Sequence, residues 1–127
     1  MTTPNLALLL AAVLAAGVGI AHSWLGERYL LVRLLRRDDL PRLFGGDDFT
    51  RRTLRFAWHL TTIAWWGFAA VMVALSGSLP GVSVARAVLL AISLTFLASA
   101  ALTFAASRGR HLAWPVFLAI AILALLG

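Results

Sequence analysis

Three histidines and one glutamate are the side chains in this sequence that could do chemistry among otherwise apolar segments. His22, His59 and His111 each lie near the end of a long apolar run. Neutral imidazole binds zinc, copper, nickel or iron, so three converging imidazoles would form a transition-metal site. Glu27 could add a carboxylate ligand, but at about 100° per residue it lies roughly 140° around the helix from His22, and only a bend near Gly26 would bring them together. The predicted metal ligands are therefore His22, His59, His111 and Glu27.

The same residues allow three other interpretations, and the sequence leaves all of them open. In the first, His22 and His59 are the axial ligands of a b-type haem, and arginines such as Arg55 bind its propionates. In the second, the histidines carry protons, because the charge of an ordinary histidine changes near pH 6.5. In the third there is no site, and each ring forms a hydrogen bond with a neighbouring hydroxyl group such as that of Ser23 or Thr62.

Familiar catalytic motifs are missing from the chain. It has no HExxH zinc motif, no glycine-rich phosphate loop and no Ser-His-Asp set at a recognisable spacing. Because it has no cysteine, disulfides, thiolate metal ligands and thiol catalysis are excluded. Acid-base chemistry by Glu27 with His22 or His59 stays formally possible, so whether the protein is an enzyme is uncertain from its sequence.

The elements that must position these residues are transmembrane helices. The chain has 127 residues, is 61% hydrophobic and has a mean hydropathy of +0.92. A globule of this size cannot bury so much apolar surface, and about 20 apolar residues suffice for a helix to cross a bilayer. The predicted fold is an all-α integral membrane protein with four transmembrane helices in a bundle, forming one domain over 1–127. The predicted spans are about 5–26, 52–75, 84–106 and 111–126.

The arginines set the predicted orientation in the membrane. Eight arginines and all five acidic residues lie between Glu27 and Arg55, and cytosolic loops carry such an excess of basic residues. The loop 27–51, which begins with an amphipathic helix, is therefore predicted to be cytosolic, and both termini outside, in a bacterial-type cytoplasmic (inner) membrane. All three histidines then fall at the cytosolic end. A net charge of +6 would suggest nucleic acid in a soluble chain, but here the arginines flank apolar runs, so the predicted partner is membrane lipid and not nucleic acid.

Two helix faces are predicted to contact protein rather than lipid. On the second helix, polar and aromatic residues spaced three and four apart share one face, and a polar face in hydrocarbon must look at other helices. These residues are Arg52, Arg55, His59, Thr62 and Trp66. On the first helix, small residues recur every four positions, which lets a second backbone approach closely and predicts self-association. They are Ala11, Ala15, Gly19 and Ser23.

Two short strings resemble small, uncharacterised bacterial inner-membrane proteins. One is His22-Ser23-Trp24-Leu25-Gly26-Glu27-Arg28, and the other is Trp58-His59-Leu60-Thr61-Thr62. The resemblance covers the first two helices and the loop between them. It implies that the two strings belong together, and it brings no activity with it.

Three functional hypotheses follow, and they belong to different classes. The most specific is a histidine-lined metal or haem site at the cytosolic end of the bundle. The second is a proton-coupled small transporter or channel that acts as an oligomer. The third is a non-catalytic accessory subunit whose arginine-rich loop contacts a partner. The expected assembly is accordingly either a homo-oligomer or a larger membrane complex.

Overall fold

The computed structural model describes residues 3–127 and consists of helices joined by turns. We label the helices α1 (Leu6–Leu34), α2 (Asp48–Leu75), α3 (Val84–Ser107) and α4 (Ala113–Leu126). The prediction of an all-helical chain is confirmed. By length and composition α1, α2 and α3 are able to cross a membrane, whereas α4 is apolar but has only 14 residues.

The first helix does not end where the first predicted span ends. Its α-helical part runs over Leu6–Leu25, continues as a π-helical turn over Gly26–Leu31, and closes with one α-helical turn over Val32–Leu34. The predicted amphipathic helix is thus a continuation of α1. Only residues 35–47 of the predicted loop are irregular, and they contain a tight turn in which Leu43 and Gly46 pair.

The helices pack in chain order, so they form an open bundle. Among residues 3–127, α1 packs on α2, α2 on α3 and α3 on α4, and no other pair of helices makes extensive contact. The chain exposes 8339 Å², whereas a compact soluble protein of 13.7 kDa would expose about 6,600 Å². An open arrangement of this kind is compatible with a membrane protein, since apolar helices that lipid surrounds have no hydrophobic drive to close around a core.

Nearly all charged residues lie at one end of the bundle, and the start of α1 and the end of α4 lie at the other. The amide of Asn5 donates to the carbonyl of Ser76 at 2.8 Å, and the guanidinium of Arg86 donates to the carbonyl of Leu125 at 3.4 Å. The start of α1 and the end of α4 therefore lie at the same end. Ten of the eleven arginines and all five acidic residues lie at the other end, which has five positive charges in excess. We call it the basic end.

Indole and hydroxyl groups of α2 pack directly on the backbone of α1. Trp66 donates to the carbonyl of Ala16 at 3.2 Å, and Trp58 to that of His22 at 3.2 Å. A methyl group on Gly19 would stand 2.8 Å from the indole nitrogen of Trp66, and one on Gly26 would overlap the indole of Trp58. The Gly19 and Ser23 part of the small-residue ridge is therefore covered by α2 of the same chain. This part of the ridge therefore packs within one chain rather than between two chains. Oligomerisation stays a prediction.

Candidate functional site

His59 is the centre of a hydrogen-bonded polar group between α1 and α2 at the basic end. Its Nδ1 lies 2.8 Å from the hydroxyl of Ser23, and its Nε2 lies 3.3 Å from a carboxylate oxygen of Glu27. Ser23 and Glu27 are four residues apart on α1, so both face α2. His59 lies one turn inside Arg55 on α2. Because its ring contacts two side chains of α1, the predicted polar face of α2 does face a neighbouring helix.

The hydrogen bonds continue from His59 into the interface. The hydroxyl of Ser23 lies 2.7 Å from that of Thr62, and Thr62 donates to the carbonyl of Gly19 at 3.1 Å. Since a carbonyl only accepts, the chain is fully satisfied when Ser23 donates to Thr62 and His59 Nδ1–H donates to Ser23. Nε2 of His59 is then left facing the carboxylate of Glu27, where one further proton would bridge the two groups.

The direction of these hydrogen bonds distinguishes the group from a catalytic triad. Ser23, His59 and Glu27 stand in line, as the members of a nucleophilic triad do. In a triad, however, the serine hydroxyl donates its proton to the histidine, which makes the oxygen nucleophilic. Here the proton of Ser23 is directed to Thr62, and the line of hydrogen bonds is suited to holding a proton rather than to activating a nucleophile.

Glu27 also joins the polar group to the arginines. One of its carboxylate oxygens faces His59 and the other lies 3.0 Å from a guanidinium nitrogen of Arg55. The Glu27 side chain is 37% exposed and that of His59 is 28% exposed, so both are partly accessible from outside the protein. The π-helical turn starts beside Glu27, at Gly26, and such turns frequently occur at functional sites.

His22 is turned away from this group. Its ring stacks on Trp58, with ring centres 4.3 Å apart and planes 5° from parallel, and its edge meets Trp65 at 4.9 Å. Its Nε2 is buried and has no hydrogen-bond partner among the described residues. The predicted approach of Glu27 to His22 does not occur, because Glu27 follows Ser23 onto the face that meets His59.

His111 is held in a third place, in the turn before α4. Its ring lies between Phe49 and Phe56, with centre separations of 5.9 and 5.1 Å, and its Nδ1 accepts a hydrogen bond from the amide of Ala113 at 3.1 Å. It caps the start of α4. Within residues 3–127, no three histidine or carboxylate side chains are grouped closely enough to hold a metal ion. The geometry thus gives the predicted metal and haem sites no support, and they stay predictions.

A cleft of about 470 Å³ opens beside His59 at the basic end. It lies over the start of α2, between the last residues of α1 and of α3. One side is basic and the other is apolar. The lining residues are Arg51, Arg52, Arg55, His59, Asp48, Leu35, Phe56, Leu102 and Ala106. The sequence predicted a shared face for Arg52, Arg55 and His59 but not the cleft. The signal for the cleft is the spacing of Arg51, Arg52, Arg55 and His59 on two adjoining rows of one helix.

Each arginine of the cleft is paired with one acid. Arg51 lies 2.6 Å from Asp47, Arg52 lies 2.8 Å from Asp48, and Arg55 is bound to Glu27 as described above. The guanidinium of Arg51 lowers the pKa of Asp47, chiefly by its hydrogen bond, so this carboxylate stays ionised at neutral pH. These pairs hold the arginine side chains along the rim of the cleft.

The two strings that carry the family resemblance face each other in the structure. Ser23 and Glu27 of the first string contact His59 of the second, and Gly26 lies under Trp58. Comparison with models of protein families, with curated protein sequences and with solved structures gave no match. The resemblance to bacterial inner-membrane proteins therefore stays a prediction, and function has to be argued from the site alone.

Proposed function

We propose that this chain is a four-span integral membrane protein of a bacterial-type cytoplasmic membrane, with the basic end in the cytosol and both termini outside. Three long apolar helices and the strong excess of arginine at one end support this orientation. The 14 residues of α4 extend about 21 Å as a helix. Flanking arginines and local thinning of the bilayer accommodate so short a span at modest cost.

In this proposal the protein is a small transporter. One step of its transport is the proton-coupled binding of an anionic ligand at the cytosolic side. The observation that carries the proposal is the carboxylate of Glu27, which is divided between Arg55 and His59 at the edge of the cleft. A proton added to the Glu27–His59 pair cancels the negative charge that faces Arg55. The cleft becomes more positive, so an anion binds more tightly.

Coupling between two ligands is reciprocal. If a proton strengthens the binding of the anion, the anion strengthens the binding of the proton by the same factor. The two then bind together with little change in net charge, which suits movement through a medium of low dielectric constant. The hydrogen-bonded chain from Glu27 ends at the carbonyl of Gly19. It forms no continuous path across the described part of the protein, which favours a carrier over an open channel.

Proton uptake on ligand binding tests this function directly. The purified protein in uncharged detergent and weak buffer is mixed with inorganic phosphate, succinate or a water-soluble short-chain phosphatidylglycerol, and a pH indicator follows the bulk solution. We expect at least one of these probes to bind with uptake of up to one proton per chain. The replacement His59→Gln should remove most of this uptake, because it deletes the imidazole that would share the added proton with Glu27.

His111→Gln is the matched control, since it removes an imidazole at the same end that does not itself line the cleft. Its proton uptake should equal that of the native protein. Binding of every probe without proton uptake, or uptake that is unaffected by His59→Gln, would contradict the proposed function.

A further inference from the structure

The cleft beside His59 combines two kinds of surface that a single ligand would have to match. Arg51, Arg52 and Arg55 form its basic side, while Leu35, Phe56 and Leu102 are among the residues of its apolar side. Its volume of about 470 Å³ is within the range of roughly 300–1,000 Å³ that is typical of sites for small molecules. A ligand that fills it would be an amphiphile with an anionic head.

The arginines keep hydrogen-bond donors free for such a head. A guanidinium carries five N–H donors, and for each of the three residues only a minority are used by the paired acid or a carbonyl. Arg51 contacts Asp47 and one carbonyl, and Arg52 contacts Asp48 and one carbonyl. Their side chains are 26% and 31% exposed, so they are held in place and partly desolvated. Several fixed guanidinium groups around one space match the oxygens of a phosphate group, which binds arginine in a bidentate manner.

The architecture leaves the cleft open to the membrane. Because α1 and α3 pack on α2 but not extensively on each other, no helix in the described residues 3–127 covers the groove between them at the basic end. Basic pockets between transmembrane helices on the cytoplasmic side are a recurrent type of site for phospholipid headgroups. We propose that this cleft binds the phosphate headgroup of an anionic lipid from the cytosolic leaflet, through Arg51, Arg52 and Arg55, with the acyl chains leaving past Leu102. The inference rests on the proposed function, for which it names the anionic ligand.

Phosphate is the shared chemistry of a lipid headgroup and of soluble phosphates, so the test separates these sources. The whole chain, purified in a detergent without phosphate, is titrated at fixed pH with short-chain phosphatidylglycerol, and saturation is followed by native mass spectrometry or by tryptophan fluorescence. Glycerol 3-phosphate, inorganic phosphate and oleate are titrated in parallel. We expect one saturable site for phosphatidylglycerol and at least tenfold weaker binding of the other three probes.

Variants locate the site. Loss of one charge-assisted hydrogen bond should weaken lipid binding by about tenfold to a hundredfold in Arg52→Gln. The replacement Ala106→Phe narrows the cleft without changing its charge, and it should weaken binding to a similar degree. Arg36→Gln is the matched control, because this arginine is exposed at the same end but does not line the cleft. Equal melting temperatures of the variants would show that each one is folded.

Several results would overturn the inference. Equal weakening by Arg36→Gln and Arg52→Gln would mean a diffuse attraction to the basic end. Equally tight binding of glycerol 3-phosphate would mean a soluble ligand, and equally tight binding of oleate would mean that phosphate is not recognised. If lipid binds in the cleft without proton uptake, the inference stands and the proposed function fails. If proton uptake accompanies succinate alone, the function stands and the inference fails.

Discussion

The two ring nitrogens of His59 have partners of different chemistry on the same helix face. Nδ1 meets the hydroxyl of Ser23 and Nε2 meets the carboxylate of Glu27. His22, one residue before Ser23, has one buried nitrogen without a partner and is held by stacking on Trp58. Two adjacent positions on α1 thus have different surroundings. Ser23 contacts His59 in the polar group, whereas His22 packs against Trp58.

The hydroxyl of Thr62 is predicted to stabilise the fold, whereas that of Thr103 is predicted to contribute nothing to stability. Both residues are buried, at 3% and 0% exposure, but Thr62 is hydrogen-bonded to Gly19 and Ser23, whereas the hydroxyl of Thr103 has no partner in the part of the chain that the structure describes. Thr62→Val removes the hydrogen bond to the carbonyl of Gly19 and leaves the part-buried hydroxyl of Ser23 without its acceptor, which should cost about 1–3 kcal/mol of unfolding free energy.

Thr103→Val is the matched control, because it makes the same change at equal burial without breaking a hydrogen bond. It should be neutral or slightly stabilising. Thermal unfolding of both variants in the same detergent measures the difference. Equal destabilisation by the two substitutions would mean that the hydrogen bonds of Thr62 contribute nothing of their own.

At the scale of elements, α1 and α2 are joined by side chains that donate to backbone carbonyls. Residues 58, 62 and 66 of α2 donate to the carbonyls of residues 22, 19 and 16 of α1, in antiparallel order. Such bonds require the α1 backbone to be reachable, and the absence of side chains at Gly19 and Gly26 makes it so. On α3 the hydroxyls of Thr95 and Ser99 bond to carbonyls of their own helix, whereas that of Ser93 donates to the carbonyl of Ala121 on α4.

Gly26→Ala is predicted to disturb the α1–α2 interface. The added methyl group would overlap the indole of Trp58, which is held by its hydrogen bond and by its stacking on His22. Overpacking of this kind typically costs about 1–3 kcal/mol, and the melting temperature in detergent should fall accordingly. Gly17→Ala is the control, since a methyl group there meets no atom within 4 Å. A similar loss of stability in both variants would contradict the packing described here.

For the whole molecule, the open row of helices has two consequences. The cleft exists because α1 and α3 do not close over α2. The outer faces of the row also expose many large apolar side chains, including Leu14 at 71% and Leu123 at 68%. In the proposed membrane, lipid or a second copy of the chain would cover these apolar side chains. The homo-oligomer and the larger complex both stay predictions.

The proposed orientation can be measured with single cysteines, because the native chain has none. Phe44, 89% exposed, is at the basic end, and Val82, 45% exposed, is in the turn at the opposite end. In intact spheroplasts, a membrane-impermeant maleimide should label Val82→Cys and not Phe44→Cys. Inverted vesicles should give the opposite pattern. Labelling of both positions from one side would contradict an odd number of crossings between them, and the reversed pattern would contradict the cytosolic basic end.

Sequence alone determined the helical class, the segregation of arginines to one end, and the face of α2 that holds Arg55, His59 and Thr62. These features depend on hydropathy and on the helical period, which are local properties of the chain. Only the tertiary structure decided that Glu27 and Ser23 meet His59 while His22 and His111 go elsewhere. That outcome depends on the rotation and register of α1 against α2. Both are set by the close packing of Trp66 on Gly19 and of Trp58 on Gly26. No spacing within a single helix contains that information.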